Sequence, residues 1–240
     1  DHLRTRLTHT LEVEQIALML SRILNLNEDL TEAIALGHDL GHTPFGHSGE
    51  DALNQVCKNG FRHNVHSVRV AEVLENLNLC EETLDGILNH TGDVTPMTLE
   101  GQIVKIADRI AYISHDIEDA ISEEVMIAED IPLEFRQYFG DNKHDMLTKI
   151  ISNIYENSVN KPEIKMSFEC VNFLNNLRNW MFKNVYFNDK TKSEEEEIKN
   201  KVITLFNYYK NLQGEQSAID YVAGMSDEFA IREYNKITKK

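Results

Sequence analysis

Apolar residues along this chain recur mostly at spacings of three and four positions, with polar and charged residues between them. Such spacing is typical of amphipathic helices, and no alternating stretch of strand length interrupts it. The pattern therefore predicts an all-α fold of about ten helices. The first five are predicted near residues 8–26, 28–40, 47–53, 63–77 and 98–126.

The chain has 240 residues, 41% of them hydrophobic, which suffices for one large domain or two small ones. Residues 1–126 hold nearly all the candidate chemistry, whereas residues 127–240 keep a helical pattern and lose most of the histidines. We predict that the first range forms a core that holds the functional site. The helices of the second range are predicted to pack on this core and to form an assembly surface. One continuous domain is the alternative. The acidic stretch 191–199 is either a linker or the first turn of a helix capped by Ser193.

The formal net charge of −16 argues against extensive binding to nucleic acid, which requires clustered Lys and Arg. It does not exclude a small anionic substrate, because a metal ion and a few local cations can reverse the potential inside one cleft. No run of about 18 apolar residues predicts a membrane span. The scattered Cys57, Cys80 and Cys170 favour reduced thiols in the cytoplasm.

The stretch 37–50, GHDLGHTPFGHSGE, concentrates three histidines, two carboxylates and four glycines between apolar helices. Burying such groups is costly unless an ion or a ligand satisfies them, so the stretch is interpreted as an active site. His38 and Asp39 are adjacent at a predicted helix end, where a metal ion can approach both. A second imidazole from the first helix and a carboxylate from the long helix would complete the set, and His9 and Asp108 are the natural candidates. This nitrogen and oxygen set suits Mn²⁺, Fe²⁺, Zn²⁺ or Mg²⁺.

These residues resemble, in order and spacing, the H…HD…D signature of the HD-domain metal-dependent phosphohydrolases. Longer stretches are similar to the deoxynucleoside triphosphate triphosphohydrolases, the dGTPase-like branch: 4–13 (RTRLTHTLEV), 38–50 (HDLGHTPFGHSGE), 61–70 (FRHNVHSVRV), 106–120 (IADRIAYISHDIEDA) and 220–230 (DYVAGMSDEFA). The resemblance implies an HD-domain helical bundle with additional C-terminal helices. It also implies that one divalent metal ion is held by His9, His38, Asp39 and Asp108. Mn²⁺ or Mg²⁺ is favoured, and Fe²⁺, Ni²⁺ and Zn²⁺ are alternatives.

The resemblance also implies a reaction, the hydrolysis of a dNTP to deoxynucleoside and inorganic triphosphate by attack at the α-phosphorus. The 5′ alkoxide is a poor leaving group and needs a general acid, for which His47 is chosen. Glu50, about one helical turn further on, is expected to hold that imidazole. A surface ion pair between these two side chains is the alternative.

Substrate contacts are expected from two groups of residues. By resemblance, Arg6, His42, His63 and His66 face the phosphates, and Lys105 or Arg109 could add charge nearby. The spacing of Asp108, Tyr112 and Asp116 places a metal ligand, a ring and a carboxylate on one helix face, which a ribose would fit. The resemblance implies that Tyr112 packs under the sugar and crowds a 2′-hydroxyl, and that Asp116 binds the 3′-hydroxyl. The alternatives are a capping role for His42, an exposed His66, core packing for Tyr112 and a solvated Asp116. His90 reads as a structural histidine at a helix C-terminus.

Three functional hypotheses follow from the residues and the resemblance. The first is a cytoplasmic dNTP triphosphohydrolase that forms homo-oligomers, with a nucleotide effector between subunits. The second is an HD phosphohydrolase acting on another nucleotide phosphoester, and the third is a catalytically silent nucleotide sensor. Members of the dGTPase-like branch usually carry an N-terminal segment ahead of the stretch 4–13 that contributes to the nucleotide pocket. Because this chain starts at Asp1 rather than Met, we expect that segment to be missing from it.

Overall fold

The all-α prediction is confirmed by a computed structural model, which describes residues 5–122, 124–186 and 189–239. Within these ranges the chain forms twelve α-helices and no strand. The helices are α1 (Arg6–Leu24), α2 (Glu28–Gly37), α3 (Gly46–Val56), α4 (His63–Arg69), α5 (Glu81–Asn89), α6 (Leu99–Ser122), α7 (Leu133–Phe139), α8 (Lys143–Ser158), α9 (Phe168–Met181), α10 (Asp189–Gln213), α11 (Glu215–Ala223) and α12 (Asp227–Thr238).

Short polar residues set several helix ends. Thr5 and Asn27 cap α1 and α2, each accepting a hydrogen bond from the backbone N–H three residues later. Asn25 ends α1 in the left-handed conformation, with φ of 56°. The helix predicted to reach residue 40 stops at Gly37, because the following residues form a turn that carries the stretch of clustered histidines.

Two other predicted boundaries differ from the structure. The helix predicted over residues 63–77 is α-helical only to Arg69 and continues as a π-helix, Val70–Leu74. Ser193 neither caps a helix nor lies in a linker, since α10 already begins at Asp189 and continues through it. Local capping preference therefore gave way to helix continuation at that residue.

The chain divides into two compact units, each built from two stretches of sequence. Unit 1 comprises Asp1–His38 and Cys80–Phe187. In it α1, α2 and α6 pack on one another, α5 packs on α2 and α6, and α8 packs on α1 and α6. Its core is a single apolar cluster whose fully buried members include Leu20, Ile34, Ile103, Ile110 and Ile150.

Unit 2 comprises Asp39–Leu79 and Asn188–Lys240. Here α10 packs against α3, α11 and α12 around a second apolar cluster, which includes Leu53, Leu205 and Phe206. The predicted division near residue 126 stays a prediction, and that position falls inside unit 1. Of the helices after it, α10, α11 and α12 lie in unit 2 with residues 39–79, where the apolar face of α10 packs on α3.

An ion pair explains why two distant stretches of the chain occur in the same unit. Arg69 Nε and Nη2 donate to the two carboxylate oxygens of Asp220, at 2.8 and 2.7 Å. Burial alone would raise the pKa of Asp220, but hydrogen bonds from Arg69 and Gln216 outweigh burial and lower it. The stretches 61–70 and 220–230 are thus joined by a bidentate, charge-assisted contact.

Glycine at position 41 is required by a close approach of two backbone segments. A Cβ atom at this position would lie 2.2 Å from the backbone nitrogen of Ser67, and the Gly41 N–H donates to Ser67 Oγ at 2.9 Å. The turn after Asp39 therefore packs directly on α4.

No helix in the described part of the chain is both long enough and apolar enough to cross a lipid bilayer.

Substituting Gly41→Ala should lower the free energy of unfolding by about 1–3 kcal/mol, because the new methyl group meets rigid backbone. The matched control is Gly46→Ala in the same unit, where φ is +57° and the added Cβ has open space. It should cost only about 1 kcal/mol of left-handed strain. Urea unfolding measures both, and equal losses would contradict the close-approach explanation.

The stabilising effect of Asp220 should depend on pH. Its folded pKa is lowered, so its contribution is present above the unfolded pKa and is lost as pH falls through the folded pKa. Asp220→Asn should destabilise the protein by about 1–3 kcal/mol at pH 7, and its deficit relative to wild type should shrink below about pH 4. Urea unfolding across this range is the measurement. Asp51→Asn, in an exposed pair with Lys199, should have little effect at any pH.

Candidate metal and active site

Three elements of unit 1 bring together two imidazoles and a carboxylate. His9 lies in the first turn of α1, His38 follows the last residue of α2, and Asp108 lies in the middle of α6. Asp108 Oδ1 is 3.0 Å from His9 Nε2 and 3.9 Å from His38 Nε2. The candidate ligand atoms of all three residues lie within 4.8 Å of one another.

The ring orientation of His38 is set by the end of α2. Its side chain is fully buried, and its Nδ1–H donates to the carbonyl oxygen of Ala35 at 2.6 Å. A carbonyl can only accept, so the proton sits on Nδ1 and Nε2 carries the lone pair that faces Asp108. This is the usual arrangement of a metal-binding histidine, whose other nitrogen donates to a backbone carbonyl.

This donor set fits a divalent metal ion. Nitrogen and oxygen atoms that bind one ion at about 2.0–2.2 Å lie roughly 3–4 Å from one another, and the two separations to Asp108 Oδ1 fall in that range. Neutral imidazoles with a carboxylate suit Mn²⁺, Fe²⁺ or Zn²⁺ better than Ca²⁺. His9, His38 and Asp108 are therefore able to hold the ion predicted from the sequence.

A second group of possible ligands lies in unit 2 and contains Asp39, His42 and His63. His63 Nε2 is 3.9 Å from Asp39 Oδ1, and the rings of His42 and His63 stack with centroids 4.6 Å apart. His47 stands in the first turn of α3, exposed to solvent, with its ring edge-on to His42 at 5.7 Å. His42 and His63, predicted to face the phosphates, thus form one cluster with His47, the predicted general acid.

Glu50 pairs with His63, whereas the predicted partner was His47. Its carboxylate accepts from the His63 backbone N–H at 2.9 Å and from His63 Nδ1 at 2.9 and 3.0 Å. Burial would raise the pKa of Glu50, but these hydrogen bonds and the attraction of His63 outweigh it and lower the pKa. The choice has a physical cause: His63 is the first residue of α4, where a backbone donor needs an acceptor and the helix dipole favours a negative charge.

His66 is buried, which contradicts the alternative of a solvent-exposed side chain. Its ring lies 5.3 Å from that of Phe61, and Nδ1 is 4.0 Å from Asp220 Oδ1. Burial lowers the pKa of His66 and outweighs the opposing effect of Asp220. A neutral imidazole is the form that this environment favours.

The remaining predicted substrate residues lie on α1 and α6. Tyr112 is 44% exposed, which excludes the core-packing alternative, and its ring is edge-on to His9 at 6.0 Å. Asp116 is partly buried one turn beyond it, and Arg6 is partly buried one turn before His9. Asp108, Tyr112 and Asp116 follow one face of α6, as their spacing predicted.

Two residues have roles that sequence reasoning missed. Lys105, considered as a source of charge for phosphates, donates instead to the carbonyl oxygens of Asn89, Gly92 and Val94 at 3.2, 2.7 and 2.7 Å. His90 is buried, donates from Nδ1 to the Ile87 carbonyl at 2.7 Å, and packs edge-on against His38 at 5.1 Å.

The hydrogen bond from His90 to a helix carbonyl could have been predicted from the position of His90 directly after a helix. His38 and His90 both follow the last residue of a helix and both donate to the carbonyl three residues earlier. His90 is therefore structural, as predicted, but it supports the ring of a candidate metal ligand.

Comparison with known proteins agrees with this geometry. Residues 6–113 match the HD domain family. A deoxyguanosinetriphosphate triphosphohydrolase-like protein of Caldanaerobacter subterraneus subsp. tengcongensis is 49% identical over 99% of this chain and 76% of its own length. A protein of the same description from Clostridium tetani is 40% identical over the same shares. The chain belongs to the dGTP triphosphohydrolase-like family of HD-domain proteins.

HD domains are metal-dependent phosphohydrolases, and the histidine and aspartate groups of this HD-domain chain could bind such a metal. A solved structure supports the fold alone. A hypothetical protein from Aquifex aeolicus is 20% identical, with a TM-score of 0.57 over 96% of this chain. The HD-domain chain spans 58% of that protein.

Asp108→Asn should weaken Mn²⁺ binding by more than about 100-fold, because it removes the negatively charged ligand that lies close to both imidazoles. Loss of a direct ligand should weaken binding more than loss of a residue that only orients a ligand. The measurement is the free Mn²⁺ signal in electron paramagnetic resonance titrations. The control is Asp141→Asn, an exposed carboxylate of the same unit, which should leave the affinity unchanged. Equal affinities for the two variants would remove Asp108 from the ligand set.

Proposed function

We propose that this chain catalyses the metal-dependent hydrolysis of deoxynucleoside triphosphates to a deoxynucleoside and inorganic triphosphate. The observation that carries the proposal is the convergence of His9, His38 and Asp108, with Tyr112 and Asp116 continuing along the same helix as Asp108. Relatives named dGTP triphosphohydrolase-like proteins, with up to 49% identity, support the choice of substrate class.

The proposed metal ligands are His9, His38, Asp39 and Asp108. Asp39 is included because it is bonded to His38 and completes the H…HD…D signature. When bound, Mn²⁺ or Mg²⁺ supplies charge stabilisation at the phosphoryl oxygens and makes water more acidic. Fe²⁺, Ni²⁺ and Zn²⁺ are compatible with the same donors.

The chain's own residues would then divide the remaining work. Water adds to the α-phosphorus and releases a proton to solvent, the bond from phosphorus to the 5′ oxygen breaks, and that oxygen takes a proton from His47, which solvent then restores. The exposed ring of His47, edge-on to His42, agrees with a group that meets substrate. The products are the deoxynucleoside and triphosphate.

Glu50 is reassigned in this mechanism. Its hydrogen bonds to His63 Nδ1 fix the orientation of that imidazole, so that Nε2 is left to contact a phosphate oxygen. His42, stacked on His63, and Arg6 are proposed as further phosphate contacts. His66, which is buried beside Asp220 and Phe61, is also proposed to contact a phosphate oxygen.

Selectivity for deoxyribose is proposed to come from α6. Tyr112 offers a partly exposed ring one turn after Asp108, and Asp116 offers a carboxylate one turn further. The carboxylate would accept from the 3′-hydroxyl, and the ring would leave no room for a 2′-hydroxyl. Homo-oligomer formation and binding of a nucleotide effector stay predictions.

Incubating the protein with each dNTP and Mn²⁺ should release inorganic triphosphate and deoxynucleoside in equal amounts, measured by ion chromatography. The matching ribonucleotides should react far more slowly. Release of phosphate or pyrophosphate alone would favour another phosphoester substrate. Nucleotide binding without any product would favour a sensor.

A control variant separates chemistry from metal binding. His47→Ala should slow turnover by about 10²–10⁴, the usual contribution of a general acid, while Mn²⁺ affinity stays at the wild-type value. Wild-type turnover in this variant would show that another group protonates the leaving oxygen. His63→Ala would then be the next variant to measure.

A further inference from the structure

Acidic and basic side chains that are not in the proposed ligand set form a network that joins three helices of unit 1. Lys143, the first residue of α8, contacts Glu12 of α1 at 2.5 Å and Glu118 of α6 at 2.8 Å. His115 of α6 lies between two carboxylates, with Nδ1 3.6 Å from Glu12 and Nε2 2.9 Å from Asp119. One glutamate, Glu12, is therefore contacted by a basic side chain from each of the two neighbouring helices.

The network continues the same pair of helices that holds the candidate ligands. Glu12 lies three residues after His9 on α1, and His115 lies seven residues after Asp108 on α6. Residues three or seven apart share a helix face, so the contacts His9 to Asp108 and Glu12 to His115 form two successive links between α1 and α6. His115 also immediately precedes Asp116, the proposed sugar ligand.

Burial limits how much these ion pairs can stabilise the protein. Glu12, His115 and Lys143 are 13%, 11% and 23% exposed. Ion pairs at such depth often stabilise a protein no more than well-packed apolar residues would, because both charges lose hydration. What they do specify is geometry, since each charge has few positions in which it stays compensated.

We propose that Glu12, His115 and Lys143 are positioning residues that set the spacing of α1 and α6 and thereby bring His9 and Asp108 together around the metal ion. The inference rests on the proposed function for the metal site and adds to it a set of residues that touch neither metal nor substrate. Lys143 is the key member, since without it Glu12 and Glu118 would repel each other across the interface between α1 and α6.

The test compares three lysine variants. Lys143→Met keeps an aliphatic chain and removes the charge, and Lys143→Arg keeps the charge. Lys201→Met is the matched control, because Lys201 also pairs with a glutamate and is also 23% exposed, but lies on α10 of unit 2. Mn²⁺ affinity is measured by electron paramagnetic resonance, folding by circular dichroism and thermal unfolding, and turnover as kcat and KM.

Lys143→Met should weaken Mn²⁺ binding by about 10-fold, in the range of changes to residues that orient ligands. Lys143→Arg should restore the affinity to within about twofold of wild type, and Lys201→Met should leave it unchanged. A folded Lys143→Met protein with wild-type Mn²⁺ affinity would overturn the proposal. So would equal losses of affinity in Lys143→Met and Lys201→Met.

A second variant keeps the proposal testable if Lys143→Met does not fold. Glu12→Gln preserves shape and removes the shared negative charge, and it should also weaken Mn²⁺ binding severalfold; unchanged affinity would count against the proposal. Failure of the proposed reaction is seen separately. Wild-type protein that binds Mn²⁺ but releases no triphosphate refutes the substrate assignment and leaves the positioning test intact, whereas wild-type protein that binds no Mn²⁺ refutes both.

Discussion

The hydrogen bond from His38 Nδ1 to the carbonyl of Ala35 is the contact on which the candidate site depends. It uses a carbonyl left without a partner by the end of α2 to fix the ring and its tautomer. Nε2 then faces Asp108 with its lone pair, in a fully buried position where a rotated ring would lose that bond. The end of helix α2 and the orientation of the His38 ring are thus set by the same hydrogen bond.

The supports around His38 extend this constraint outward in unit 1. His90 repeats the same bond at the end of α5 and packs on the His38 ring. Lys105 in turn donates to three carbonyls in the segment that follows α5, so the loop bearing His90 is anchored to α6. Lys105, which the sequence offered as a source of charge for phosphates, is thus occupied in holding backbone carbonyls.

Net charge says little about this protein's ligand. The chain carries −16, yet its candidate site concentrates imidazoles, and several of its carboxylates are occupied by partners. Glu50 pairs with His63, Asp220 with Arg69, and Glu12 with Lys143 and His115. The acidic excess lies in exposed stretches such as residues 194–197. An anionic substrate is compatible with such a chain because the field inside a cleft follows the nearest groups rather than the total.

The sequence by itself determined the helical class, the approximate starts of the five helices located from it, and the identity of the candidate ligands. Those features depend on local spacing, on caps such as Thr5 and Asn27, and on residue types with few other uses. Only the tertiary structure decided which partner each charged group takes. Glu50 binds His63 rather than its helix neighbour His47, and α10 joins α3 rather than the helices that precede it, because backbone donors and apolar faces from distant parts of the chain offer better contacts than local ones. The alternative partners of a side chain differ in interaction free energy by only a few kcal/mol, and they come close to one another only when the chain folds.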